Sequence, residues 1–137
     1  MKIFFFNLLF FIFYSQIIFA HGTIIIKGVE HNRGFIDVKI YGDKEKFLKE
    51  DQSIESIRKK PTKGKTIIPL SKIHEGKIAI VVYHDENNDG KLNTGLFWRP
   101  KEGFAFSNNY VPKGPPSFVK AVISLIHAEP VNIELNY

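Results

Sequence analysis

The 137-residue chain contains no cysteine, and that absence removes several classes at once. It excludes a disulfide scaffold, a thiol enzyme, a thiolate metal site and a lipid anchor attached through a cysteine at an export-cleavage site. Stability has to come from packing. A sustained helical period is also missing, as are internal repeats, low-complexity linkers and a second domain. Neither the nucleophile pattern G-x-S-x-G nor the zinc-protease pattern H-E-x-x-H occurs.

The long apolar run lies at the N-terminus. Met1-Lys2 is followed by Ile3 to Phe13, broken by Asn7, and then by Tyr14 to Ala20. This is the order of a signal peptide: charged, apolar, then a small residue at the boundary. Residues 1–20 are expected to be removed after Ala20, leaving one domain over 21–137 outside the cytoplasm, periplasmic or secreted. Ile18 is a poor residue for an export peptidase. The alternative is an uncleaved anchor of about 17 apolar-leaning residues, short of the roughly 20 a transmembrane helix needs. Cleavage leaves no membrane span. It also takes away seven of the thirteen phenylalanines and, with Lys2, moves the net charge from +5 to +4.

The rest alternates apolar and polar residues in short runs punctuated by Gly, Pro, Asn and Asp, the pattern of half-buried strands. Ile36, Val38 and Ile40 share one face, with Asp37 and Lys39 on the other, and Val131, Ile133, Leu135 and Tyr137 alternate with Asn132, Glu134 and Asn136. Further strands are expected at Thr23 to Val29, Ser56 to Lys60, Lys65 to Leu70, Lys77 to His84 and Phe118 to Ile126. The run Ile78 to Tyr83 is apolar on both faces and reads as a central strand covered on both sides. Lys44 to Ile57 allows a helical turn or two. The fold class is therefore all-β, a single antiparallel β-sandwich of about seven strands with one long loop at 85–117; a small barrel is the runner-up.

The sharpest local motif opens that loop. Asp85-Glu86-Asn87-Asn88-Asp89-Gly90 satisfies D-x-[DN]-x-[DN]-G, the start of a calcium loop. Asp85, Asn87 and Asp89 offer side-chain oxygens, Lys91 its carbonyl and Asn93 a direct or water-bridged ligand, while Gly90 permits the sharp turn. Leu96 stands where an EF-hand needs a bidentate Glu, so Glu102 is the residue expected to close the shell around calcium. The alternative is plain turn chemistry, because Asn, Asp and Gly tolerate left-handed backbone.

Three other features have two readings each. Arg58 to Lys65 carries five positive charges in eight residues, which suits a polyanion or an ordinary solvated hairpin; without interleaved aromatics the hairpin is expected, and no nucleic-acid binding. Phe97, Trp98, Phe104, Phe106, Tyr110 and Phe118 either anchor the loop onto the sandwich or line a ligand groove. His84 and Asp85 are neighbours on a strand and point to opposite faces, which argues against a catalytic dyad. His21, at the new N-terminus, has no evident partner for chelating copper.

With these residues in view, the chain resembles a family of small exported bacterial proteins known as domain of unknown function 2141. The resemblance is carried by Val82 to Thr94, Pro100 to Asn109 and Gly114 to Phe118, in that order. It implies a transthyretin-like or Cna-B-like sandwich outside the cytoplasm, with no established activity. Val119-Lys120 stands where the family usually has acidic residues, and Phe97-Trp98-Arg99 where it has a small apolar segment. The expected function is a non-enzymatic binding or structural module of the cell envelope with an unidentified envelope or extracellular partner. The alternative is a small-molecule carrier or hydrolase that uses 85–117 as a lid over His84, Asp85 and Glu102.

Overall fold

Ile24 and Ile26 on one strand, and Ile36, Val38 and Ile40 on the next, are all fully buried, as the two-residue period requires when one face of each strand meets a core. The computed structural model describes residues 22–96 and 100–137. Residues 1–20, the expected signal peptide with its Ala20 boundary, together with His21, Phe97 and Trp98, lie outside the described residues. Among the described residues there are eight strands: β1 (Thr23–Val29), β2 (Phe35–Tyr41), β3 (Glu55–Lys59), β4 (Gly64–Pro69), β5 (Gly76–Asp85), β6 (Phe104–Phe106), β7 (Ile123–Leu125) and β8 (Pro130–Glu134). They form two sheets, one ordered β4-β1-β8 and one ordered β3-β2-β5-β6, with β7 pairing the start of β5.

The all-β sandwich is the expected class, with two differences in detail. The described residues hold eight strands, one of which, β6, lies inside the segment expected as a continuous loop at 85–117, and β8 runs parallel to β1, with Ile24 opposite Val131 and Ile26 opposite Ile133; the other pairings are antiparallel. The C-terminal tail then crosses to the other sheet, where Phe104 and Asn136 exchange backbone hydrogen bonds at 2.8 and 2.9 Å. That contact joins the sheets along one margin.

The inner core includes Ile24, Ile26, Ile68 and Ile133 from one sheet and Ile36, Val38, Ile40, Ile78, Ile80 and Val82 from the other. Each such side chain contributes about 1.5–3 kcal/mol on leaving water. As its apolar run predicts, β5 is covered on both faces. Its outer residues Ala79 and Val81 pack with Tyr41, Phe106 and Ala121 under Phe47, Leu48, Phe104, Tyr110 and Phe118. These described aromatics therefore anchor the long loop and the 43–53 segment onto the sheet, the first of their two readings.

Two segments depart from expectation. Phe118 to Ile126 is not one strand: Phe118–Ala121 makes a single helical turn, α1, and β7 follows. Phe118 and Ala121 are three apart and share a helical face toward the sheet, while Val119 is exposed. The turn is pinned by Ser107, whose buried hydroxyl accepts from Ile80 N and donates to Ala121 O. Within Lys44 to Ile57, the helical content is a short 3-10 turn at Glu50–Gln52, and β3 has begun by Glu55. Glu55 is buried as the anchor of the 71–72 turn, accepting from Ser71 N and Oγ and from Lys72 N. Among the described residues, no helix is long and apolar enough to cross a membrane.

Candidate functional site

The ends of β1, β3 and β5 and the starts of β2, β4 and β6 lie together, so the connections 30–34, 60–63 and 86–103 and the tail at Tyr137 cluster at one end of the sandwich. Two of these connections pass from one sheet to the other. Arg58 to Lys65 is thus an inter-sheet crossing rather than the expected hairpin, because β3 and β4 belong to different sheets. It is tied to the β1–β2 crossing by Lys63 N, which donates to Asn32 Oδ1 at 2.6 Å. Much of its charge is already used: Lys59 Nζ donates to Ile67 O, and Lys60 Nζ lies 3.9 Å above the Phe35 ring.

Arg58 carries the main electrostatic feature. It sits opposite Asp37 in the β2–β3 register, on the outer face of the sheet. Its guanidinium donates to Asp37 Oδ2, to Asp85 Oδ2 at 2.6 Å and to Asn88 Oδ1 at 2.7 Å, and it lies 4.3 Å from the Phe35 ring centre. Asp85 is fully buried. Its second oxygen accepts from Asp89 N at 3.0 Å, and Oδ2 also accepts from Gly90 N at 2.8 Å. Burial pushes this carboxyl up, but the Arg58 hydrogen bond and the two backbone donors outweigh it and hold Asp85 below the usual range. Burial dominates at Asp37, which is raised despite the same arginine.

The six residues of the calcium motif are therefore near one another but turned to different partners. Asn87 Oδ1 accepts from Asp89 N, Asp89 Oδ1 from Lys91 N, and Asp89 Oδ2 from Asn87 and Asn93 side chains. Glu102 does fold back onto the loop, where it accepts from Glu86 N at 3.1 Å and Asn93 N at 3.2 Å. The cation next to Asp85 is supplied by the chain itself. Tyr83 fastens the loop from below, donating to Gly90 O at 3.2 Å. Gly34 makes room for the site: its φ is +66°, and a Cβ there would lie 2.0 Å from Asp85 O.

His84 faces the opposite side of β5, as the strand parity requires, and is fully buried. Its Nε2–H donates to Arg33 O at 2.6 Å, since a carbonyl can only accept. That leaves a lone pair on Nδ1, which accepts from the Tyr137 hydroxyl at 2.6 Å, while the same hydroxyl oxygen accepts from Glu30 N at 3.3 Å. Beside it, His31 Nε2 donates to Glu86 Oε2 at 2.9 Å, and the two imidazole centres are 4.6 Å apart. Among the described residues, the group that brings three acid or imidazole ligand atoms within 4.8 Å of one another is His31, His84 and Glu86. In the sequence, His31-Asn32-Arg33 is a turn between two strands. A histidine three positions before glycine in an inter-sheet turn gives no further signal until β1, β5 and the tail are brought together.

A polar cleft of about 420 Å³ opens beside the loop, lined by Glu86, Asn87, Asn93, Thr94, Lys101 and Glu102. Neither His84 nor Asp85 reaches it. A second groove of about 420 Å³ runs over the outer sheet face between Lys39, Tyr41, Leu48, Glu50, Tyr83 and Leu92. Burial and the nearby Glu50 push the Tyr41 hydroxyl up to about 12.

This arrangement defines a class: a small two-sheet β-sandwich with a polar cluster, including His31, His84, Asp85, Glu86 and Glu102, where its connections meet at one end. The family follows from comparison. Over residues 24–134 the chain matches the family described as "Uncharacterized protein conserved in bacteria (DUF2141)", and it belongs to that family. No curated protein and no solved structure matches the chain.

Proposed function

We propose that this chain is an exported, non-enzymatic binding module of the bacterial cell envelope that engages its partner through the loops at the Asp85 end. The observation that carries the reading is the pairing of its acid and base groups. His84 has both ring nitrogens engaged and Asp85 both oxygens, and of the three groups a lid-type hydrolase would use, Glu102 alone lines the cleft. General acid–base chemistry needs such groups to converge on a reacting atom. Here they are spent on holding loops.

The surface the loop presents suits contact with a partner: Leu96 is 84% exposed and Val111 56%. Export is supported by the N-terminal leader. On this reading calcium is not needed to hold the loop, because Arg58 supplies the positive charge at Asp85.

The test is a panel of ester, phosphoester, peptide and glycoside substrates given to the full-length protein and to Glu102→Gln. Both are expected to stay at the level of an inert protein. Turnover by the wild type that the variant abolishes would replace the binding module with the hydrolase. Mass spectrometry of fractionated cells is expected to find a chain beginning at His21 outside the cytoplasm, and an intact Met1 in the membrane fraction would overturn export with cleavage.

A further inference from the structure

We infer that His31, His84 and Glu86 form a binding site for a divalent transition metal of the zinc class. Two imidazoles and one carboxylate are a donor set suited to such ions, with an open position left for water or a partner's group. One ligand atom from each residue already lies within 4.8 Å of the others. Imidazoles bound to a single zinc at about 2.0–2.1 Å per Zn–N bond hold their ring centres roughly 5 Å apart; those of His31 and His84 stand at 4.6 Å. Little movement is required.

The surrounding contacts have the form of a metal ligand's outer support. His84 is buried, and Arg33 O takes its Nε2–H, which fixes the tautomer that presents Nδ1 as a ligand. What covers Nδ1 is the hydroxyl of Tyr137, which is 47% exposed; its ring lies against Gly103 and its oxygen accepts from Glu30 N, and this hydroxyl has to leave Nδ1 for the ion to bind. At His31 the ion takes the place of the hydrogen between Nε2 and Glu86 Oε2. That hydrogen moves to Nδ1, and the long Arg33 N contact to Nδ1, 3.3 Å, is given up. Arg33 Nη2 lies 4.0 Å from Glu86 Oε2, but its side chain is 77% exposed and free to turn into water. Glu86 is held in place through its backbone, whose N–H donates to Glu102. Calcium does not suit this set, because it favours oxygen ligands only.

The experiment is a zinc titration by calorimetry of the full-length protein after treatment with chelator. One zinc is expected to bind at about micromolar affinity or tighter, undisturbed by millimolar calcium, with each of His31→Ala and Glu86→Gln weakening it at least about tenfold. His84→Asn risks the fold, so Tyr137→Phe serves as the second arm. Removing the hydroxyl that competes for Nδ1 is expected to leave zinc binding intact or tighten it. His127→Ala, beside the start of β5 and away from the cluster, and His21→Ala are each expected to change nothing. The inference is overturned if the wild type takes up no zinc, if His31→Ala and Glu86→Gln bind as the wild type does, if Tyr137→Phe loses the ion, or if uptake follows His127 or His21.

Discussion

Arg58 Nη2 lies 2.6 Å from Asp85 Oδ2, across 27 residues of sequence and between two strands that are not neighbours in their sheet. The fully buried carboxylate of Asp85 thus has its counter-charge from β3, over the intervening β2, and the opening of the long loop is closed by an internal cation. Removing one partner of such a pair leaves an uncompensated charge, a larger loss than the pair's net worth.

Arg58→Ala is accordingly expected to destabilise the fold by about 3 kcal/mol, read from urea denaturation. Arg58→Lys should recover only part of this, because one ammonium cannot reproduce the planar fork that reaches Asp37, Asp85 and Asn88 together. The wild-type melting curve is expected to be the same in millimolar calcium and in chelator. Arg58→Ala, with those acceptors exposed to an ion, should gain stability from calcium. A wild-type rise equal to the roughly 1.4 kcal/mol that linkage gives at ten times the dissociation constant would show that an ion, and not Arg58, holds the loop.

Acid should unfold the protein, and two residues set the sign. At Glu55, burial acts upward, but the Ser71 hydroxyl, the Ser71 and Lys72 N–H groups and the Lys72 charge outweigh it; like Asp85, Glu55 lies below its ordinary value. A depressed carboxyl contributes stability that is present above its unfolded value, about 4, and is lost as pH falls through its lower folded value. Asp37 is raised and works the other way, weakening the fold as pH climbs from the unfolded value through the folded one. The urea midpoint is therefore expected to fall as pH drops below about 4, with Asp37 opposing the carboxylates just above that value. Glu55→Gln should flatten that acid limb, and Asp37→Asn should leave it at least as steep.

Gly34 faces a backbone oxygen, not a flexible side chain. Gly34→Ala would place Cβ 2.0 Å from Asp85 O at a φ of +66°, so the β1–β2 crossing or the end of β5 must move. A loss of at least about 2 kcal/mol is expected. Gly114→Ala, with nothing within 4 Å of its Cβ position, should stay within about 0.5 kcal/mol of the wild type. Comparable losses in both would show that the Gly34 position is not specially constrained.

Much of the fold was legible because it depends on local alternation. Ile36, Val38 and Ile40 face the core as their spacing requires, and the apolar run of β5 is buried on both faces. The segment Phe118 to Ile126 misled because Phe118 and Ala121 use a three-residue spacing that a short apolar run does not distinguish from a strand. The candidate site was legible in part. Glu102 returns to the Asp85 loop as expected, but Arg58 read as one charge in a basic run. Its outward parity beside Asp37 is visible only once the register of β2 and β3 is known.

The sequence by itself determined most of the strand positions, the inward and outward faces, the turn chemistry of Asp85 to Gly90 and the exclusion of cysteine chemistry, because each depends on residues within a few positions of one another. The tertiary structure decided which sheet each strand joins, the parallel pairing of β8 with β1, the pairing of Arg58 with Asp85 and the meeting of His31, His84, Glu86 and Tyr137. The pleat repeats every two residues whatever its neighbours are, whereas pairing across 27, 53 or 55 residues depends on how the inter-sheet crossings close. That closure is set by burial of the whole core and not by any local run.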